Sequence, residues 1–180
     1  DADTAMHLPD FRATERTFQL VSQVAGRAGR RDSRGTVIVQ TMSPGHPAIQ
    51  LAAKHDYRTF AEQELAIRAG AGMPPATRMA RIVTRDKDAG KARQRAEEVG
   101  EVLREAIRAM GKAAGGEAAF SVGPVAPCPL SRLHGQYRFG LEVVAPGAGA
   151  IQRALHAVRS RGLLTSDAHT AVDVDPVALL

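Results

Sequence analysis

The chain has 180 residues, enough for one ordinary domain or two small ones. Hydrophobic residues make up 44% of it but aromatic residues only 4%, so a core must be built from Ala, Val, Leu and Ile. The net charge of +5 weakly favours an anionic partner such as nucleic acid. Cys128 is the one cysteine, so an intramolecular disulfide and a zinc site made of thiolates are both excluded. The sequence contains no apolar run long enough to span a bilayer.

The N-terminal part of the chain is predicted to mix strands and helices. Residues 1–9 predict a short strand with its exit loop, and the pattern over 11–30 is helical. A run of β-branched residues over 36–41 is typical of a buried strand. A helical stretch over 48–68 follows, and residues 55–57 are expected to break it into two helices.

A glycine- and proline-rich linker at 70–75 predicts a domain boundary, and 123–129 is interpreted as a proline-rich connection. The elements predicted after the linker are a strand at 79–84, a helix at 92–110, a short strand at 119–122, a strand at 137–144, a helix around 151–158 and a strand at 172–175. This β-α-β-β-α-β order is that of the split βαβ, ferredoxin-like fold, in which two helices cover one face of a four-stranded antiparallel sheet.

The sharpest motif lies in the first predicted helix. Gln23, Arg27 and Arg30 stand at i, i+4 and i+7, so all three point the same way on a helix. The motif also holds two glycines, each of which costs a helix about 1 kcal/mol relative to Ala. The planar guanidinium of arginine can donate hydrogen bonds to two phosphate oxygens at once. An arginine can also stabilise the negative charge that develops during phosphoryl transfer. The motif therefore favours a phosphate-binding role.

Two other interpretations of this motif remain open. Arginine-rich helices are often simply solvated surfaces. The run Gly26-Arg27-Ala28-Gly29 also fits the loop that clamps the nucleic-acid backbone in KH domains, although a strand predicted so soon after it suits that fold poorly. No Lys-Ser or Lys-Thr follows the motif, so it is not a Walker phosphate-binding loop.

The pattern Gln-x-x-Gly-Arg-x-Gly-Arg resembles motif VI of superfamily 2 helicases. Over a longer span the chain resembles the primosomal protein N-prime family of bacterial replication-restart helicases. The matching runs are Asp1-Ala2-Asp3, Leu8-Pro9-Asp10-Phe11-Arg12-Ala13, Glu15-Arg16-Thr17-Phe18-Gln19-Leu20, Gln40-Thr41, His46-Pro47-Ala48-Ile49, His55-Asp56-Tyr57, Phe60, Glu64-Leu65, Pro74-Pro75, Gly123-Pro124, Tyr137-Arg138 and Asp173-Val174-Asp175-Pro176.

The resemblance implies an α/β chain in which the end of a RecA-like helicase lobe precedes an α+β ferredoxin-like (split βαβ, S10-like) C-terminal domain. Residues 1–45 would complete the lobe and carry motif VI, 46–75 would form a helical connector, and 76–180 would be the C-terminal domain. Gln23, Arg27 and Arg30 would contact the phosphates of ATP. Of these, Arg27 and Arg30 would be catalytic, with Arg30 as the arginine finger.

The family further implies an ATP-dependent 3′–5′ DNA helicase that works at stalled forks in the bacterial cytoplasm. Its ATP site, with Mg²⁺, and its zinc site would depend on an upstream region, so this chain alone is not expected to hydrolyse ATP. Expected partners are forked or branched DNA, single-stranded-DNA-binding protein, primosome proteins and the loader of the replicative helicase, with no membrane.

The candidate DNA contacts are Arg132, Tyr137 and Arg138, because arginine can bind phosphate and tyrosine can stack on a base. No metal site is predicted, since the histidines are scattered without ligand spacing. The alternative from another class is a free-standing nucleic-acid-binding module, with a ferredoxin-like sheet and no ATPase activity.

Overall fold

A computed structural model describes residues 2–28, 36–113, 120–165 and 168–179. The chain divides into two compact units, unit 1 at Asp1–Gly70 and unit 2 at Ala71–Leu180. Among the described residues, none of the helices is both long and apolar enough to cross a membrane.

The described part of unit 1 consists of helices joined by segments without regular structure. Its helices are α1 (Asp3–Met6), α2 (Ala13–Ala28), α3 (Pro47–Ala53) and α4 (Tyr57–Gly70). Polar side chains fix the helix starts: His46 Nδ1 accepts a hydrogen bond from the N–H of Ala48 (3.2 Å), and Asp56 Oδ1 accepts one from the N–H of Thr59 (3.1 Å). The predicted break at 55–57 is confirmed, since α3 ends before it and α4 starts at Tyr57.

The predicted strands at 1–9 and 36–41 are wrong. Residues 3–6 form α1, and 36–41 run without regular structure. A strand needs a ladder of main-chain partners. The hydrogen bond from Ala2 N–H to Gln40 O (3.1 Å) is the single main-chain bond between these two segments in the described part of the chain. Side chains replace the ladder: the Asp3 carboxylate accepts hydrogen bonds from Thr41 Oγ1 and the N–H of Met42, both at 2.7 Å.

The core of unit 1 is built around two stacked aromatic rings. Phe18 of α2 and Phe60 of α4 lie with their centroids 4.2 Å apart and their planes 13° apart. Both side chains are 3% exposed, and they pack with Val21, Ala48 and Ala52. Helices α2, α3 and α4 thus share one apolar centre.

A charged network ties α2 to α4 beside this core. The carboxylate of Glu15 accepts hydrogen bonds from Arg12 Nη2 (2.7 Å) and from Arg68 Nη2 (3.0 Å). Arg68, which is buried, also donates to Glu64 Oε1 (2.9 Å). The hydrogen bond from Arg12, followed by that from Arg68, lowers the pKa of Glu15 below its ordinary value, against the opposing effect of burial.

Substituting Glu15→Gln is expected to lower the free energy of unfolding of unit 1 at pH 7 by about 1–2 kcal/mol. Because the pKa of Glu15 is lower in the folded state, its contribution is present above the unfolded pKa of about 4.3 and is lost as the pH falls through the folded pKa. The difference between wild type and variant should therefore shrink in acid. Hydrogen exchange of the α2 amides at pH 7 and pH 3 measures both the destabilisation by Glu15→Gln and its dependence on pH.

Glu62→Gln is the matched control, because Glu62 pairs with Arg58 on the exposed surface of α4, where an ion pair contributes little. Equal destabilisation by the two substitutions, or a Glu15→Gln effect that does not change with pH, would show that the network does not stabilise unit 1.

Unit 2 is a mixed α/β unit with one antiparallel sheet. Its elements are β1 (Arg78–Asp86), α5 (Ala89–Ala113), β2 (Ser121–Val122), β3 (Ala126–Leu133), β4 (Gln136–Ala145), α6 (Ala148–Ser160) and β5 (Thr170–Val174). The strand order is β2-β4-β1-β5, and β3 also pairs with β4. Since β1 occupies one edge of β4, β2 and β3 follow one another along its other edge. This arrangement is compatible with the predicted ferredoxin-like fold.

In the described residues the sheet has five strands, where the sequence predicts four. The extra strand, β3, begins within the segment 123–129 that was interpreted as a connection. Pro127 pairs in register with Phe139, and the register then shifts before Arg132. Proline cannot donate to a ladder, which is why the segment did not suggest a strand, but an edge strand with an irregularity accommodates it.

Both helices of unit 2 pack on one face of the sheet. Alternate residues of β1 and β4 point into this core, which α5 and α6 complete; its largest fully buried side chains include Ile82, Val99, Leu103, Leu141, Val143, Ile151, Leu155 and Val158. The remaining residues of the strands point to the other face, which α5 and α6 do not cover and which is called here the helix-free face. It carries Arg81, Val83 and Arg85 from β1, and Arg138 and Glu142 from β4.

Candidate functional site

The motif on α2 is exposed where the structure describes it. Gln23 and Arg27 lie one turn apart near the end of α2, and both side chains are exposed. Neither bonds to another described residue. A Cβ added at Gly26 would meet nothing within 4 Å, so the helix surface beside Arg27 is clear. Arg30 lies outside the described residues. The guanidinium of Arg27, exposed and without a partner among the described residues, fits a ligand that approaches from outside the chain.

The second candidate group lies on the hairpin formed by β3 and β4. The hairpin turns through His134 (φ 49°) and Gly135 (φ 76°). Two successive residues with positive φ match the tight two-residue turn that suits the twist of paired strands. Arg132 and Tyr137 face each other in register across this turn, and the guanidinium carbon of Arg132 lies 5.2 Å from the centroid of the Tyr137 ring.

The hairpin end is both basic and apolar at its surface. Arg132 is exposed, and the neighbouring Leu130 and Leu133 are 57% and 42% exposed. Arginine stacked on an aromatic ring keeps its outward N–H groups free for an anion. The tip can therefore offer a phosphate contact and a stacking surface together.

The structure separates Arg138 from the other two predicted DNA contacts. Tyr137 shares a side of β4 with the core residues Phe139 and Leu141, so Arg138 points to the helix-free face. There Arg138 Nη1 donates a hydrogen bond to the carbonyl oxygen of Leu130 (3.3 Å). It lies opposite Arg85 of β1 in register.

Arg138 lines a cavity that the sequence did not predict. The cavity has a volume of about 200 Å³ and is lined by Arg81, Val83, Arg85, Arg138, Ala171, Val172, Asp173 and Ala178. Arg81 and Arg85 stand four residues apart on β1 and so share a face with Val83. The spacing of Arg81 and Arg85 is the one signal in the sequence for two arginines on the same face of the sheet. The third arginine, Arg138, joins them only because β4 pairs with β1.

The described residues contain no group of three or more His, Cys, Asp or Glu side chains placed to hold a metal ion.

Comparison with known proteins identifies the family. The profile described as the primosomal protein N C-terminal domain matches residues 69–177. Replication restart protein PriA of Treponema pallidum is 38% identical over 179 residues, which cover 99% of this chain and 26% of that protein. PriA of Bacillus subtilis is 41% identical over 138 residues, covering 77% of this chain and 16% of that protein. PriA of Haemophilus influenzae is 35% identical over 177 residues, covering 98% of this chain and 23% of that protein.

The chain thus spans about a quarter or less of the length of these relatives. The family resemblance found in the sequence is confirmed, and the chain belongs to the PriA family of replication restart proteins.

Proposed function

We propose that unit 2 binds branched DNA as the C-terminal domain of an ATP-dependent 3′–5′ helicase that restarts replication at stalled forks. The observation that carries the DNA-binding part is the Arg132–Tyr137 pair at the exposed hairpin end, with its cation–ring distance of 5.2 Å. Membership of the replication restart family supports the biological setting.

The pair suits an unpaired base next to its phosphate. Stacking of a base on an aromatic side chain contributes about 1–3 kcal/mol, whatever the base. The ring also restricts Arg132, so that less side-chain entropy is lost when its guanidinium binds a phosphate. At a fork, single-stranded bases lie beside duplex, and a half-buried ring next to a cation offers such a base both stacking and a phosphate contact.

Tyr137→Leu is expected to weaken binding of a forked DNA by about 5- to 150-fold, the equivalent of one lost base stack. Tyr137→Phe is the matched control, since it keeps the aromatic face and should bind nearly as wild type does. Arg132→Gln should weaken binding and reduce the slope of log affinity against log salt by about 0.7–0.9, because one phosphate contact is lost. Fluorescence anisotropy over a salt series measures all three variants.

Arg108→Gln removes one exposed positive charge from α5 and controls for net charge. If Tyr137→Leu and Arg132→Gln bind as Arg108→Gln does, the hairpin end is not a DNA contact.

We also propose that Gln23, Arg27 and Arg30 serve as motif VI of the helicase, reaching the phosphates of ATP bound in the complete protein. The exposure and one-turn spacing of Gln23 and Arg27 support this. Bound ATP and Mg²⁺ would supply the phosphoryl group and its counter-charge. This chain would add guanidinium groups that meet charge on the transferring phosphate. The rest of the ATP site and any zinc site would come from other parts of that protein.

An apolar surface beside α2 supports the proposal that residues 1–45 belong to a larger lobe. Ile38 is 90% exposed, and Leu20 and Val24 of α2 are 49% and 46% exposed. All three line one shallow hollow. Exposed apolar patches of this kind mark surfaces that pack against another element.

The proposal extends to the remaining partners and to the compartment. The family setting suggests single-stranded-DNA-binding protein, primosome proteins and the loader of the replicative helicase as partners, in the bacterial cytoplasm.

A further inference from the structure

The helix-free face of unit 2 carries a small cavity lined with arginines. Arg81 and Arg85 of β1 and Arg138 of β4 line a volume of about 200 Å³. None of these side chains reaches the apolar core, which lies on the other face of the sheet.

Arg81 is the least expected of the three. The residue is 5% exposed, and its Nε and Nη1 atoms are buried without a hydrogen-bond partner among the described residues. Glu142 Oε1 lies 3.8 Å from Nε, close enough for charge attraction but too far for a hydrogen bond. A buried cation with unsatisfied donors is costly unless something pairs with it.

Arg85 and Arg138 add a second unfavourable feature. They stand directly opposite each other in the β1–β4 register, and like charges in that position destabilise a sheet. Arg85 Nε is also buried without a hydrogen-bond partner in the part of the chain that the structure describes. An anion between these groups would remove the repulsion and satisfy the free donors at once.

The shape of the cavity follows from small residues around Val83. In the register, Val83 is flanked by Gly140 on β4 and by Ala171 on β5. A Cβ added at Gly140 would lie 3.3 Å from Cys128 Sγ and 3.5 Å from the carbonyl oxygen of Ile82, so this position is kept small by packing. The space beside Val83 takes a small group and not a large ligand.

The charge balance selects the kind of anion. Against the three guanidiniums stand two carboxylates, Asp173, which lines the cavity, and Glu142, which lies near Arg81. One positive charge is left over. A single phosphodiester carries one negative charge and several acceptor oxygens, and planar guanidiniums match phosphate geometry well.

We propose that this cavity is a phosphate-binding pocket, and that the phosphate it holds is one in the backbone of a single nucleic-acid strand bound by unit 2. The second part rests on the proposed DNA-binding function. The pocket and the hairpin pair are neighbours along β4, where Arg138 directly follows Tyr137, although the two side chains point to opposite faces of the sheet. The pocket holds the backbone in position and does not read the base.

The decisive variant is Val83→Phe, which fills the pocket without changing any charge. It is expected to weaken binding of a fluorescein-labelled single-stranded oligonucleotide by about tenfold, as the loss of one well-placed phosphate contact should. Arg85→Gln should weaken binding similarly and reduce the slope of log affinity against log salt concentration by about 0.7. Arg108→Gln on α5 is the matched charge control and should keep wild-type affinity. Thermal unfolding of each variant confirms that it folds.

A second readout follows the arginines themselves. In ¹H–¹⁵N spectra of the full chain, the Nε signals of Arg81 and Arg85 should shift when the oligonucleotide is added to wild type, but not when it is added to Val83→Phe. If the oligonucleotide binds while these signals stay in place, and Val83→Phe and Arg85→Gln bind as wild type does, the pocket proposal is overturned and the DNA-binding proposal stands.

If no oligonucleotide binds to any variant, the DNA-binding proposal fails, and a titration with inorganic phosphate decides the pocket. Nε shifts in wild type that are absent in Val83→Phe would support a phosphate site whose ligand is not a nucleic-acid strand. Unchanged Nε signals would overturn the pocket itself.

Discussion

Arg30→Ala, made in the complete gene product, is expected to lower kcat for ATP hydrolysis by about 10³–10⁵-fold, the usual contribution of an arginine finger. Negative charge spreads over the oxygens of the phosphoryl group as it transfers, and a guanidinium placed there stabilises the transition state more than the ground state. Arg27→Ala should also lower kcat, since Arg27 is exposed and bonds to no other described residue.

Arg30→Lys tests the geometry behind this expectation. Lysine keeps the charge but lacks the planar fork, so most of the activity should stay lost. Arg58→Ala, an exposed arginine on α4, controls for loss of charge and should leave kcat unchanged. If hydrolysis in Arg30→Ala and Arg27→Ala matches that of Arg58→Ala, Arg27 and Arg30 are not part of the ATP site.

Phe60→Ala is expected to destabilise unit 1 by about 3–5 kcal/mol. The ring is 3% exposed and stacks on Phe18 at 4.2 Å, so its removal loses apolar burial and a ring contact and leaves a cavity between α2 and α4. Each 1.4 kcal/mol is a factor of ten in an equilibrium constant, so the most protected amides of unit 1 should lose protection by roughly 100- to 4,000-fold.

Hydrogen exchange of the α2 and α4 amides under native conditions measures this effect unit by unit. The matched control is Ile67→Ala on α4, where the side chain is 67% exposed and the change should stay within about 0.5 kcal/mol. Protection in Phe60→Ala that equals protection in Ile67→Ala would mean that the aromatic stack is not the centre of unit 1.

Local patterns in the sequence predicted the elements whose stability is local. The spacing of Ala92, Ala96, Val99 and Leu103 predicts the buried stripe of α5, and all four are fully buried. The prediction of a strand at 36–41 was wrong because a strand depends on residues far away in the sequence. Its β-branched composition was right for a strand, but a ladder depends on a neighbour that no local pattern shows.

The candidate sites also divide into one that local sequence spacing predicts and others that depend on how distant strands pair. The i, i+4 relation of Gln23 and Arg27 is a property of one helix, so the sequence showed that they point the same way. The Arg132–Tyr137 pair and the arginine pocket depend on how β3, β1 and β4 align. Arg81 was missed because sequence alternation does not say which face of a sheet lacks helices.

We propose that two cationic regions serve two ligands: Arg27 and Arg30 meet ATP in the complete protein, and unit 2 binds DNA. The most direct test is fluorescence anisotropy of a forked DNA with this chain over a salt series, comparing Arg27→Ala/Arg30→Ala with Arg132→Ala/Arg138→Ala. We predict salt-dependent binding that survives the first pair of substitutions and weakens with the second. Loss of binding with the first pair, in a chain that remains folded, would contradict the claim and make 26–30 a nucleic-acid clamp.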